Sequence, residues 1–186
     1  MSLHWRAPVW CVGDDINTDL ILPNDMLSRS RVERASSVFR PNRPGWAAQV
    51  RSGDILVGGR NFGMGSGRPA ALAMKDLGLA CLVADSINAL FFRNCVNDAL
   101  PALEVPGVRA AFAEGDQAQV DFEAATVTNL RTGLCLSGTR WPPVLLKALL
   151  AGGLVERLEA EGLVHPEGWS PAADAVAPRA GSRRTA

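Results

Sequence analysis

Between residues 59 and 71 the chain reads GRNFGMGSGRPAA, and within it Ser66 and Arg68 stand two residues apart among glycines. Arginine presents a planar fork of N–H donors that matches a carboxylate. A serine hydroxyl held in a positive field can exchange a proton if its alkoxide is stabilised. The following residues, RPAALAMKDLG, have helical spacing, with Pro69 tolerated in a first turn and Gly78 as a stop. A helix starting there aims backbone N–H groups and the positive end of its dipole at the loop, which favours a bound anion. Hydroxyl, guanidinium and helix N-terminus together suit a small carboxylic acid. A blander reading stands beside this one: the glycines only make a tight strand-to-helix connection, and Arg68 is a solvated surface residue.

Other chemistries fit less well. GMG supplies the first half of a dinucleotide fingerprint, and Asp85 falls where a ribose-binding acid would stand, but Arg68 occupies the third glycine position. No GK[ST] follows the glycines, which removes a phosphate-binding P-loop, and Met64 stands where a hydrolase elbow needs glycine. His4 and His165 lie near opposite ends, so a Ser-His pair has no support. The four cysteines, Cys11, Cys81, Cys95 and Cys135, lack CxxC spacing. They read as reduced core residues of a cytoplasmic protein, and no metal site is expected in this chain. Lys plus Arg and Asp plus Glu number 19 each, which gives no electrostatic footprint for nucleic acid. The first residues lack the build of a signal peptide, and no apolar run approaches a membrane span.

These residues need elements to position them. A first strand is predicted in APVWCVG, a polar loop and short buried segment in DDINTDLILP, and loops with short helices over 24–52. DILVG reads as a strand entering the glycine loop, LACLVAD as a strand buried on both faces, and SINALFFRNCVNDAL as a helix capped by Ser86. PALEV is a short strand candidate. Alternation in AQVDFEAATVTNLRTGLCLSG predicts a hairpin turning at NLRTG, and residues 142–162 predict two helices meeting at Gly152-Gly153. The result is an α/β domain over residues 1–166, followed by a tail over 167–186 whose composition predicts disorder.

Two segments carry a resemblance. GDDINTDLILP (13–23) resembles the first motif of the small subunits of isopropylmalate isomerase and homoaconitase, of the aconitase superfamily. Residues 61–103 resemble their central motif, NFGxGSSREHA followed by a helix, a buried strand and FxRNxxNxGLP. LLKALLAGGLVERL is similar to the end of the shorter small subunits, so the likeness spans about residues 8–162. It implies a swivel domain, a β/β/α fold with a mixed, barrel-like sheet flanked by helices, which closes over the active site of a large subunit. That partner carries a [4Fe–4S] cluster on three cysteines, and the complex reversibly dehydrates a hydroxy di- or tricarboxylic acid. The swivel chain alone is then not expected to turn over.

Residue by residue, the resemblance assigns Ser66 as the proton-abstracting base, Arg68 as the carboxylate-binding arginine and Asp19 as the active-site aspartate, with Thr18, Gly65 and Gly67 beside them. It makes the stretch after Pro23, roughly Asn24 to Arg31, the reader of the substrate's variable group. Arg29 and Arg31 could bind a further carboxylate there, or Met26 and Leu27 could meet an alkyl group. The chain departs from the pattern at Gly67, Pro69 and Ala70, where the family has Ser, Glu and His. These changes leave open an altered substrate, as in a homoaconitase- or dimethylmalate dehydratase-like enzyme, a pathway other than leucine biosynthesis, or a non-catalytic binding subunit.

Overall fold

The computed structural model describes residues 3–65 and 67–164. Its centre is a curled seven-stranded mixed sheet in the order β4-β3-β2-β1-β5-β6-β7. Strands β1 (His4–Cys11), β2 (Ile55–Gly58), β3 (Cys81–Ala84) and β4 (Ala102–Glu104) form a parallel half. Every residue of β2 and β3 is buried, as their unbroken apolar runs require of strands covered on both faces. On the other side of β1, β5 (Gln117–Asp121), β6 (Thr126–Asn129) and β7 (Cys135–Ser137) run antiparallel as a meander. The predicted hairpin is thus two hairpins, because Phe122–Ala125 makes a second turn, with Ala125 at φ 54°. Cys135 lies exposed on the edge strand β7, unlike the buried Cys81 and Cys95, so the expectation of core cysteines fails there.

The helices are α1 (Thr18–Ile21), α2 (Arg31–Ser36), α3 (Ala70–Leu77), α4 (Ala89–Asn97), α5 (Val108–Ala111), α6 (Pro143–Ala151) and α7 (Leu154–Ala160). Helix α3 leaves the glycine loop and ends on Gly78, at φ 99°, as its sequence predicts. Ala70, Ala71, Ala73 and Met74 bury its inner face. Helices α6 and α7 meet at Gly152-Gly153, both at positive φ.

Lys75 ties three helices together. Its ammonium donates to the carbonyls of Asp98, at the end of α4, and Gly152, at the end of α6, at 2.7 and 3.2 Å. A cation at two helix C-termini is favoured by both dipoles. Lys75→Met removes both bonds, and a loss of about 1–3 kcal/mol is expected. Thermal unfolding should then fall by roughly 3–10 °C for a chain of this size.

Candidate functional site

Three loops meet at the carboxyl ends of β1, β2 and β3, where open parallel sheets bind their ligands. The glycine loop is strung between the other two by backbone bonds. On one side, Gly63 N donates to Ile16 O at 2.7 Å and Thr18 N to Met64 O at 2.8 Å. On the other, Phe62 N donates to Ser86 O at 3.0 Å and Asn88 N to Phe62 O at 2.8 Å. The loop therefore lies close against its neighbours, and at two of its glycines there is no room for a side chain. At Gly63, φ is +81° and an added Cβ would fall inside the Phe91 ring and its Cβ. At Gly65, φ is +109° and a Cβ would sit 3.1 Å from Thr18 Oγ1.

Polar side chains fix the same framework. Asp14 receives the Arg60 amide and guanidinium at 2.7–3.0 Å, and these hydrogen bonds, the backbone one foremost, hold its carboxyl below the usual range. Asp15 and Asn61 both adopt positive φ, and Asn61 Nδ2 donates to Asp15 Oδ1 at 2.9 Å. Ser86 does not cap α4 as its sequence position predicts. Asn88 is the cap, accepting from Leu90 N, and Ser86 Oγ instead receives the Asn61 amide at 2.8 Å. Asp85 accepts from the Arg109 amide at 3.2 Å.

Arg68 is the charge at the centre. Its side chain is only 14% exposed, so it is not the solvated residue of the blander reading. Nη2 lies 2.6 Å from Asp19 Oδ1, and Nη1 donates to Asn24 Oδ1 at 3.2 Å. Asp19 stands in the first turn of α1, a helix started by Asn17, whose side chain accepts from Leu20 N at 2.8 Å. Thr18 beside it is buried. The fold thus brings Thr18, Asp19, Gly65 and Arg68 together, while Ser66, between Gly65 and Gly67, lies outside the described residues. Asp19 itself is 62% exposed, so the ion pair has one buried cation and one solvated anion. An incoming carboxylate can therefore take Arg68 while Asp19 returns to water.

Arg29 and Arg31 are engaged elsewhere. Arg31 grips Asp76 with two bonds, at 2.8 and 2.5 Å, and Arg29 lies 3.8 Å from Glu33. Asp76 is in the last turn of α3, about 10 Å of helix from the end that Arg68 precedes. Farther along the Arg-rich segment, Arg40 pairs with Asp25 and Arg43 with Glu114. Asn24, the second acceptor of Arg68, has no motif to announce it and was legible only as the start of a loop. Asn94 Nδ2 lies 3.5 Å from Arg68 O.

Position 67 is open: an added Cβ would meet only Leu90 Cδ2, at 3.9 Å. Gly67→Ser, which restores the hydroxyl of the family motif, is therefore expected to leave the melting temperature within about 2 °C of the parent. Glycine there is a change the fold tolerates and does not demand.

A seven-stranded mixed sheet with a glycine loop clamped at its strand ends defines an aconitase-type swivel domain. The aconitase C-terminal domain family model matches residues 24–107. A 3-isopropylmalate dehydratase small subunit of Methanopyrus kandleri is 40% identical over 84% of this chain and 94% of its own length. The 2,3-dimethylmalate dehydratase small subunit of Eubacterium barkeri is 34% identical over 83% and 96%. The crystal structure of 3-isopropylmalate dehydratase (leuD) from Methanocaldococcus jannaschii superposes with a TM-score of 0.81 at 27% identity, covering 86% of this chain and 96% of that one. The chain belongs to the family of 3-isopropylmalate dehydratase small subunits.

Proposed function

We propose that this chain is the small subunit of a heteromeric hydro-lyase of the 3-isopropylmalate dehydratase type, acting on a hydroxy di- or tricarboxylic acid with a large subunit that carries a [4Fe–4S] cluster. The observation that carries this reading is the Arg68 guanidinium, largely buried where three strand-end loops converge and balanced by an exposed carboxylate. The names of the relatives at 40% and 34% identity support the same reaction class. The described residues do not fit a cluster. Among the described residues no group of three or more His, Cys, Asp or Glu could hold a metal ion, and burial pushes the Cys81 and Cys95 thiols up, away from the thiolate a metal needs. In this reading the cluster belongs to the partner.

Arg68 binds one carboxylate of the substrate through its planar fork, and Asp19 and Asn24 hold that fork ready. The Ser66 alkoxide takes the proton from the carbon beside the bound carboxylate. The hydroxyl leaves the adjacent carbon, where the partner's cluster would supply the Lewis acid that accepts it, and the double bond forms between the two carbons; rehydration runs the steps in reverse. Gly65 and Gly67 leave the backbone close to the reacting carbons, and the buried Thr18 backs Gly65 with its Oγ1. Arg29 and Arg31 are kept as a second anion site only if the partner draws them from Glu33 and Asp76. The dimethylmalate type is a variant of this reading, kept open by a relative of that name at 34% identity and by the loss of the motif's Ser, Glu and His at 67, 69 and 70. A cytoplasmic location accords with it, and among the described residues no helix is long and apolar enough to cross a membrane.

The test is reconstitution. The chain is combined with its large subunit, the cluster is rebuilt without oxygen, and 2- and 3-hydroxy diacids are screened for absorbance of the unsaturated intermediate. Turnover of a diacid is expected only when both subunits are present. A stable complex inert toward every diacid would overturn the catalytic reading and leave a binding or regulatory subunit.

A further inference from the structure

A second concave site lies apart from Arg68. A cleft of about 590 Å³ opens between α4, the end of β4 and the segment 139–145 that enters α6. Its apolar wall is Phe92, Trp141 and Leu145. That wall is preformed. The Trp141 indole N–H donates to Ala102 O at 2.8 Å, and its ring packs edge-on against Phe92 and Phe122 with centroids 5.1 and 5.2 Å away. A rigid aromatic wall binds an apolar group without first having to be ordered.

The polar lining is lopsided in charge. Arg93, Arg140 and Glu104 face the cleft. Glu104 is already committed, its Oε1 accepting from Ile87 N at 2.6 Å. Arg140 uses Nε on Ala124 O at 3.2 Å, which leaves its terminal N–H groups to the cleft. The Arg93 guanidinium, which lines the cleft, has no hydrogen-bond or ion-pair partner among the described residues. Two guanidiniums against one hydrogen-bonded carboxylate, over an aromatic wall, match an anion with an apolar body. A second charge on the ligand would have to rest against Phe92 or Trp141, at a desolvation cost that disfavours diacids.

We propose that this cleft binds a small monocarboxylate with an aromatic or branched aliphatic body, its carboxylate between Arg93 and Arg140 and its body against Trp141, Phe92 and Leu145. The site is independent of the hydro-lyase reading. It also touches the glycine loop's support, because Ile87 at its edge forms a β-bridge with Phe62.

The experiment titrates the full chain with 3-phenylpropionate, followed by calorimetry and tryptophan fluorescence, with 3-phenylpropionamide as the uncharged control. The acid is expected to bind at least about tenfold more tightly than the amide. The double variant Arg93→Gln/Arg140→Gln should lose about tenfold or more, and Leu145→Trp, which fills the cleft, should abolish binding. All three proteins should melt within a few degrees of one another. No binding at millimolar acid, equal binding of the amide, or full binding by the double variant would overturn the proposal. So would binding abolished by Arg68→Gln, which would locate the acid at the other site. Loss of binding when the large subunit is added would assign the cleft to subunit contact, and equally overturn it.

Discussion

Arg68→Gln is expected to lower kcat/KM of the reconstituted complex by about two to three orders of magnitude while leaving the chain folded. Removing one member of a desolvated, hydrogen-bonded charge pair costs about 2–5 kcal/mol, and about 1.4 kcal/mol is a factor of ten. Within the free chain the loss is far smaller. The partner left behind, Asp19, is 62% exposed and is resolvated by water, and Asn24 is exposed as well. The asymmetry of the pair thus separates function from stability. Arg68→Lys keeps the charge but not the fork, so only part of the activity should return. Steady-state kinetics with thermal melts of both variants check this. A drop in kcat/KM with an unchanged melting temperature is expected; wild-type kinetics in Arg68→Gln would remove Arg68 from substrate binding.

The largest stability effect is expected three residues before Ser66. Gly63→Ala places a methyl group inside the Phe91 ring. Phe91 is fully buried and packs edge-on against Phe62 at 5.5 Å, so it has nowhere to retreat. Overpacking of this kind costs about 1–3 kcal/mol, and forcing a non-glycine residue to φ +81° adds about 1–2 kcal/mol. The sum lowers the melting temperature by roughly 5–20 °C in a chain of this size. Differential scanning calorimetry of Gly63→Ala beside Gly67→Ser is the check. One glycine is clamped against a ring and the other faces open space, so equal melting temperatures would mean that the loop is not held as described.

The parallel half of the sheet was legible because its strands are continuous apolar runs bounded by glycines, and α3 because Pro69 and Gly78 mark its ends. The chain's meander was read one turn short. The stretch FEAA, between β5 and β6, carries none of the Gly, Asn or Pro that mark a turn, yet Ala125 turns there at positive φ. Ser86 misled for a related reason. A serine before an apolar helical pattern looks like a cap, but whether its hydroxyl serves its own helix or another loop depends on tertiary approach. Arg68 was legible from its chemistry beside Ser66 and Asp19 only through motif resemblance, and their 2.6 Å pairing needed the fold. The Arg-rich stretch shows the opposite limit. Its composition marks a solvated face, or a contact with the large subunit or an acidic substrate, but not the carboxylates that Arg29, Arg31, Arg40 and Arg43 each find within this chain while Arg29, Arg31 and Arg40 stay exposed.

The central claim is that this glycine loop moves the substrate's proton through Ser66. It is tested most directly by hydrogen exchange. The reconstituted complex is incubated with its diacid in deuterated water, and incorporation of deuterium beside the carboxylate is followed by mass spectrometry, for the parent and for Ser66→Ala. The parent is expected to exchange, and Ser66→Ala to bind the diacid with similar affinity yet incorporate no deuterium. Exchange by Ser66→Ala at the parent's rate would contradict the assignment and require another base.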